Sequence, residues 1–164
     1  KHSSYYYPVT GILGELGYVS IGVGYTLPFQ VVGAPCMNAD SLTNALNSLY
    51  LPGIIFRPIH FKPFYSTYKD EHCHGVQIHI MNYNKACLSE IQFYIMQEIN
   101  KLYPSKAVFA NANKERFSMF DKVSGSDQIR LKFSVNHSFA DIQEYWNKDV
   151  ENYRKLSKKY WLYK

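Results

Sequence analysis

The residues best suited to chemistry in this chain crowd into one run, His72-Cys73-His74-Gly75-Val76-Gln77-Ile78-His79. Three imidazoles and a thiol have the composition of a metal site. Their spacing argues otherwise. Val76, Ile78 and Ile80 alternate as in a strand, whose successive side chains point to opposite faces. His72 and His74 then lie with the apolar set, while His79 falls on the other face. No second Cys-x-x-Cys and no carboxylate completes a ligand set, so no metal or cofactor is expected. What the alternation does bring together is Gln77 and His79. An amide and an imidazole on one strand face, entered through Gly75, are placed to offer hydrogen bonds to a ligand.

Other chemistry is sparser. Cys73 has no evident positioning partner and no Gly-x-Ser-x-Gly occurs, so nucleophilic catalysis is not indicated. Glycoside cleavage needs two carboxyl groups flanking a bond. Glu90, Glu98, Glu144, Asp149 and Glu151 fall on helix faces. Only Glu15, in Gly14-Glu15-Leu16-Gly17, and Asp70-Glu71 sit in loops suited to border a pocket. No matched pair is visible, so a general acid would come from elsewhere. Arg57, in Phe56-Arg57-Pro58, stands in an apolar stretch where an unpaired charge is costly. It needs a carboxylate, either internal or on a ligand, and its planar fork suits a two-bond grip.

These groups must be held by a modest scaffold. Residues 1–35 carry Pro8, Gly11, Gly14, Gly17, Gly22, Gly24, Pro28, Gly33 and Pro35, a density that reads as loops rather than helix. Short extended pieces are expected at Tyr18-Val19-Ser20 and Phe29-Gln30-Val31-Val32. Asn38 or Asp40 caps a helix bearing Leu42, Ala45, Leu46 and Leu49, which Pro52-Gly53 stops. Ile54 to Arg57 reads as a strand that Pro58 pushes toward a sheet edge or a bulge. After the strand at 75–81, Leu88, Ile91, Ile95, Ile99 and Leu102 mark the clearest helix, with Pro104 beyond its end. Short helices are predicted at 114–122 and 126–134. One longer helix then opens at Ser138 and carries Phe139, Ile142, Trp146, Val150 and Tyr153. Tyr160-Trp161-Leu162-Tyr163 reads as a returning edge strand. The predicted architecture is α+β, a small mixed sheet covered by about four helices.

Composition bounds the rest. The 164 residues suffice for a single domain with a proper core, and no apolar run is long enough to cross a bilayer. A net charge of +5, without interleaved basic and aromatic residues, gives no nucleic-acid module. Fifteen tyrosines and ten phenylalanines exceed the needs of a small core. They either fill a loop-rich interior or stand exposed for carbohydrate or partner contact. Cys36, Cys73 and Cys87 are no disulfide framework and read as buried thiols, with one bridge possible.

The order of motifs adds a resemblance. Gly22-Val23-Gly24-Tyr25-Thr26-Leu27-Pro28-Phe29, followed by Val32-Gly33-Ala34-Pro35, resembles the Ser-Glu-Gly-Arg-Gly-Thr-Thr-x-Pro-Phe…Gly-Ala-Pro segment of the exo-β-N-acetylmuramidase (NamZ-like) family. Phe56-Arg57-Pro58 with Phe61 and Pro63, the run from Cys73 to His79, Phe120-Asp121 with Gly125-Ser126, and the closing Tyr160-Trp161-Leu162-Tyr163 agree too. The resemblance implies that residues 1–164 are the C-terminal, cleft-forming domain of a two-domain protein. A larger Rossmann-like N-terminal domain would supply the catalytic glutamate. It implies a peptidoglycan-directed exo-glycosidase releasing N-acetylmuramic acid from non-reducing ends, in the periplasm or outside the cell. The implied partners are an amino-sugar or muropeptide substrate and the protein's own N-terminal domain. Carried over motif by motif, the substrate-facing residues are Glu15, Thr26, Arg57, Gln77 and His79. Ile21 and Val23 stand where the family has glutamate and arginine. That departure leaves a rival expectation, a non-catalytic carbohydrate-binding or interaction module that keeps the fold.

Overall fold

In a computed structural model, which describes residues 3–162, the chain is α+β. Helix α1 (Ser3–Gly14) leads into a glycine-rich loop and strand β1 (Val31–Ala34). Helix α2 (Ala39–Asn47), strands β2 (Ile54–Phe61) and β3 (Cys73–Ile80), and helix α3 (Ile91–Leu102) follow. The C-terminal third is helical: α4 (Val108–Asn111), α5 (Phe117–Ser124), α6 (Asp127–Asn136), α7 (Ala140–Asn147) and α8 (Val150–Ser157).

The three strands lie in the order β1-β3-β2, and both outer strands run antiparallel to β3. The sheet is therefore not mixed. Helix α2 makes the crossover that two parallel strands require, but β3 inserts between β1 and β2 and separates them. Pro58 lies on β2, an edge strand, as its missing N–H demands. Phe56, Val76, Ile78, Val32 and Ala34 point from the sheet into the main core, which α1, α2 and α3 cover. Further from the sheet, Phe93 is fully buried, stacks on Phe139 at 5.8 Å and meets the edge of Trp146 at 4.9 Å. Most phenylalanines thus supply core, while Phe64, Tyr5, Tyr7, Tyr50, Tyr153 and Tyr160 stand exposed.

Several elements depart from their sequence patterns. Residues 3–14 form a helix despite Pro8, Gly11 and Gly14. Its face of Val9, Thr10 and Leu13 is wholly buried, and the buried Gln92 clamps it. The Gln92 amide donates to the Pro8 carbonyl at 3.3 Å and accepts from the Leu13 N–H at 3.1 Å. Packing outweighs propensity here. The helix count is eight among the described residues rather than about four, in part because α1 and the four-residue α4 carry no periodic signal and the expected C-terminal helix is split in two. The helix expected from Ser138 breaks at Lys148-Asp149 into α7 and α8. The expected strand at the C-terminus is absent from the described residues: Lys158–Tyr160 is a 3-10 turn, and Tyr163 lies outside them. That segment leaves α8 on the helical side of the molecule, where no sheet edge is at hand. Elsewhere local chemistry held. Asn38 accepts the Ser41 N–H at 2.8 Å to cap α2, and Ser126 accepts the Gln128 N–H at 3.1 Å to cap α6.

Candidate functional site

The face of the sheet turned away from α2 and α3 carries the uncommitted polar groups. Arg57 on β2 stands directly opposite Gln77 on β3, whose other neighbour is Val31 on β1. One row further, Ile55 faces His79. Directly opposed side chains sit about 5 Å apart, and those one row apart diagonally remain within reach of a long side chain. Arg57, Gln77 and His79 therefore form a single cluster. At the other end of this face, Phe61 and Cys73 are buried with Val31, and the Tyr25 ring packs on Phe61 at 5.3 Å. Gly33 and Gly75 form the floor between. A Cβ on Gly75 would lie 2.0 Å from the Val32 carbonyl oxygen, so only glycine lets these strands close.

The three clustered groups have little to bind within the protein. Arg57 is exposed and has no acidic partner among the described residues. Its position on an open edge removes the burial cost that the apolar neighbours suggested, so no internal carboxylate is required. The Gln77 amide makes no side-chain hydrogen bond to the described residues, and His79 Nε2 is buried without a partner. Burial, and then the positive charge of Arg57, lowers the His79 pKa below its usual value. His79 is accordingly a neutral imidazole near pH 7, able to donate from one ring nitrogen and accept at the other.

The remaining candidates lie elsewhere. Glu15 follows α1 and is held by Arg116, whose Nη2 lies 3.8 Å from Glu15 Oε2. It lines a cavity of about 240 Å³ with Tyr7, Val23, Phe29, Ser66 and Arg116, and Arg57 is not among the lining residues. Ile21 is buried against Gly14, and Val23 gives this cavity an apolar wall. Thr26 is exposed in the glycine-rich loop and makes no side-chain hydrogen bond to the described residues. That loop is fastened to the segment after β2. The Phe64 N–H donates to the Gly24 carbonyl at 2.8 Å, and a Cβ on Gly24 would lie 2.2 Å from the Tyr65 carbonyl oxygen.

Two features had no counterpart in the sequence reading. His60 faces His74 across β2 and β3, with their Nδ1 atoms 2.6 Å apart. Only the strand register, which no local pattern encodes, pairs them. Among the described residues, no group of three or more His, Cys, Asp and Glu side chains is arranged to hold a metal ion. Cys36 and Cys87 are exposed free thiols, contrary to the expectation of burial, and only Cys73 is buried. The second feature is a groove of about 1060 Å³ between α7, α8 and the turn joining α5 to α6, lined by Tyr145, Trp146, Tyr153, Tyr160 and Trp161. A run of surface aromatics in the C-terminal sequence was the signal for it.

With this geometry in view, the relatives of the chain can be placed. Residues 5–163 match the family described as "Exo-beta-N-acetylmuramidase NamZ, C-terminal". A curated relative, the peptidoglycan beta-N-acetylmuramidase NamZ of Bacillus subtilis (strain 168), is 34% identical over 161 residues, which is 98% of this chain. A crystal structure of a DUF1343 family protein from Bacteroides fragilis NCTC 9343 superposes with a TM-score of 0.97 at 61% identity and covers 99% of this chain. The chain spans 37% of the length of the first and 42% of the second. No described helix is long and apolar enough to cross a membrane. The chain belongs to the family of NamZ exo-β-N-acetylmuramidase C-terminal domains.

Proposed function

We propose that this domain forms one wall of a saccharide cleft in a peptidoglycan-directed exo-glycosidase that releases N-acetylmuramic acid from non-reducing ends. The observation that carries the reading is the cluster of Arg57, Gln77 and His79 on one sheet face, none of whose side chains finds a hydrogen-bond partner among the described residues. Arg57 would grip the lactyl carboxylate of muramic acid through two parallel hydrogen bonds. Gln77 would pair with the acetamido group, and neutral His79 with a ring hydroxyl. Among the described residues no acid pairs with Arg57, and this reading assigns the catalytic acid to a second, larger domain forming the opposite wall. Glu15, in its separate cavity beside Arg116, and Thr26, on the glycine-rich loop, would be secondary contacts away from the cluster. A periplasmic or extracellular location goes with this substrate.

The test is turnover of a chromogenic N-acetylmuramide by the full-length protein. Arg57→Ala should raise KM at least tenfold, since a charge-assisted bidentate contact contributes about 1.5–3 kcal/mol. Unchanged kinetics in that variant would remove Arg57 from the site.

One observation favours a second reading. The Glu15 cavity is walled by apolar Val23, and Ile21 is buried beside it, where family members carry charge. A non-catalytic carbohydrate-binding module would show no turnover yet bind muropeptides, with Arg57→Ala weakening that binding.

A further inference from the structure

Helix α8 is poorly integrated into the fold. None of its residues is buried, and its apolar side chains line the groove against α7 and the turn between α5 and α6. Tyr153 is 70% exposed, Tyr160 70% and Trp161 58%. Exposed rings at this density make a surface that favours burial against a ligand.

The lining is mainly apolar, with Ile129, Val150 and Leu156 beside the rings, and Ser126, Asp149, Arg154 and Ser157 add polar groups among them. Aromatic planes interleaved with short polar groups suit sugar rings, whose faces are apolar and whose rims carry hydroxyl and acetamido groups. The charge is one-sided as well. Lys148 lies 4.1 Å from the centre of the Tyr145 ring, Arg154 lines the groove, and Lys158 and Lys159 flank it on the turn after α8. Against them stand Asp149 and Glu151, and Glu151 pairs with Arg154 at 2.5 Å, so those two charges offset each other. Three lysines then stand against Asp149, an excess that complements carboxylates. At about 1060 Å³ the groove lies just above the ~300–1,000 Å³ typical of small-ligand pockets, room for several sugar units rather than one.

We infer that this groove is a second, non-catalytic glycan site, which holds a strand of carboxylate-bearing amino sugars apart from the Arg57, Gln77 and His79 cluster. It rests on the proposed reading that the substrate is peptidoglycan, and it deepens that reading. The terminal sugar would occupy the sheet face of one protein while the groove retains a strand of the same polymer.

The experiment measures binding of the full-length protein to purified, uncross-linked peptidoglycan glycan strands and to neutral chitohexaose by titration calorimetry. Wild type should bind the glycan strands more tightly than chitohexaose. The double variant Tyr153→Ala/Trp161→Ala should lose about tenfold or more in strand affinity while hydrolysing a chromogenic N-acetylmuramide at the parental rate. Arg154→Glu, which leaves the rings in place, should weaken strand binding and spare chitohexaose. Parental strand affinity in both variants would overturn the proposal, and equal wild-type affinity for the two glycans would overturn its anionic character. Arg57→Ala separates the two readings. If it leaves muramide turnover unchanged while the groove variants lose strand affinity, the cleft assignment fails and the groove stands.

Discussion

Arg130 on α6 grips Asp121 on α5 through two hydrogen bonds, Nε to Oδ1 at 2.9 Å and Nη2 to Oδ2 at 2.7 Å. The guanidinium also lies 5.0 Å from the centre of the Phe117 ring. Both side chains are about one-fifth exposed, so the pair is sheltered but not sealed from water. Asp121→Ala strands a charged fork at that helix junction and should cost about 2 kcal/mol. The urea unfolding midpoint would report it, and an unmoved midpoint would show the pair to be neutral. The same variant should leave muramide binding intact, since the pair lies among helices that do not carry the Arg57 cluster.

Gly24 and Gly125 offer a controlled comparison. Both have a left-handed backbone, with φ of +85° and +79°. A Cβ at Gly125 meets nothing within 4 Å, whereas one at Gly24 runs into the backbone of Tyr65. Gly125→Ala should therefore cost only the conformational penalty, about 1 kcal/mol. Gly24→Ala adds the displacement of a neighbouring loop and should cost at least about 2 kcal/mol. Thermal denaturation of the two variants would rank them, and equal losses would mean that the loop after β2 yields freely.

His79 makes stability depend on pH with a definite sign. Its folded pKa lies below the ordinary histidine value of 6.5, so the unfolded chain binds more protons between the two. The contribution is fully present above about pH 6.5 and is lost as the pH falls through the folded pKa. Arg57→Ala removes the second cause of the shift, and the imidazole pKa should climb part of the way back. An NMR titration of the His79 ring in both proteins would show it. A pKa indifferent to Arg57 would separate the two side chains.

Thiol reactivity should divide the cysteines. Burial, followed by the charge of Glu71, pushes the Cys73 thiol up to about 11. Cys36 and Cys87 are exposed. At pH 8 a disulfide reagent should modify two of the three thiols in the native protein and all three in denaturant. Rapid native labelling of Cys73 would mean that the small core under Tyr25 opens readily.

The parts of this fold that were legible in sequence were those decided locally. The alternation through Val76, Ile78 and Ile80 correctly separated Gln77 and His79 from the core face, and Pro58 did mark an edge strand. Asn38 and Ser126 cap the helices they precede. What escaped was decided at a distance. Helix α1 exists because its Val9, Thr10 and Leu13 face is buried and Gln92, 84 residues from Pro8, ties its backbone to α3. The break between α7 and α8 leaves the apolar stripe running unbroken through the sequence, and the pairing of Arg57 with Gln77 depends on a register set across two strands. The antiparallel order followed from β3 being inserted between two earlier strands, an outcome that strand patterns alone do not specify.

Gln77 and His79 ride on the central strand, hydrogen-bonded on both sides, while Arg57 rides on an edge. The strand fixes the backbone beneath both groups, and on the proposed reading of the cleft they present a rigid base to a ligand. Arg57 adds a long, exposed chain on the edge. Capture would cost about 2 kcal/mol of rotamer entropy at the arginine, and the unbonded Gln77 side chain would add its own share. Fastening the guanidinium in advance, with a neighbouring group that fixes its torsions, would offset its part of that loss.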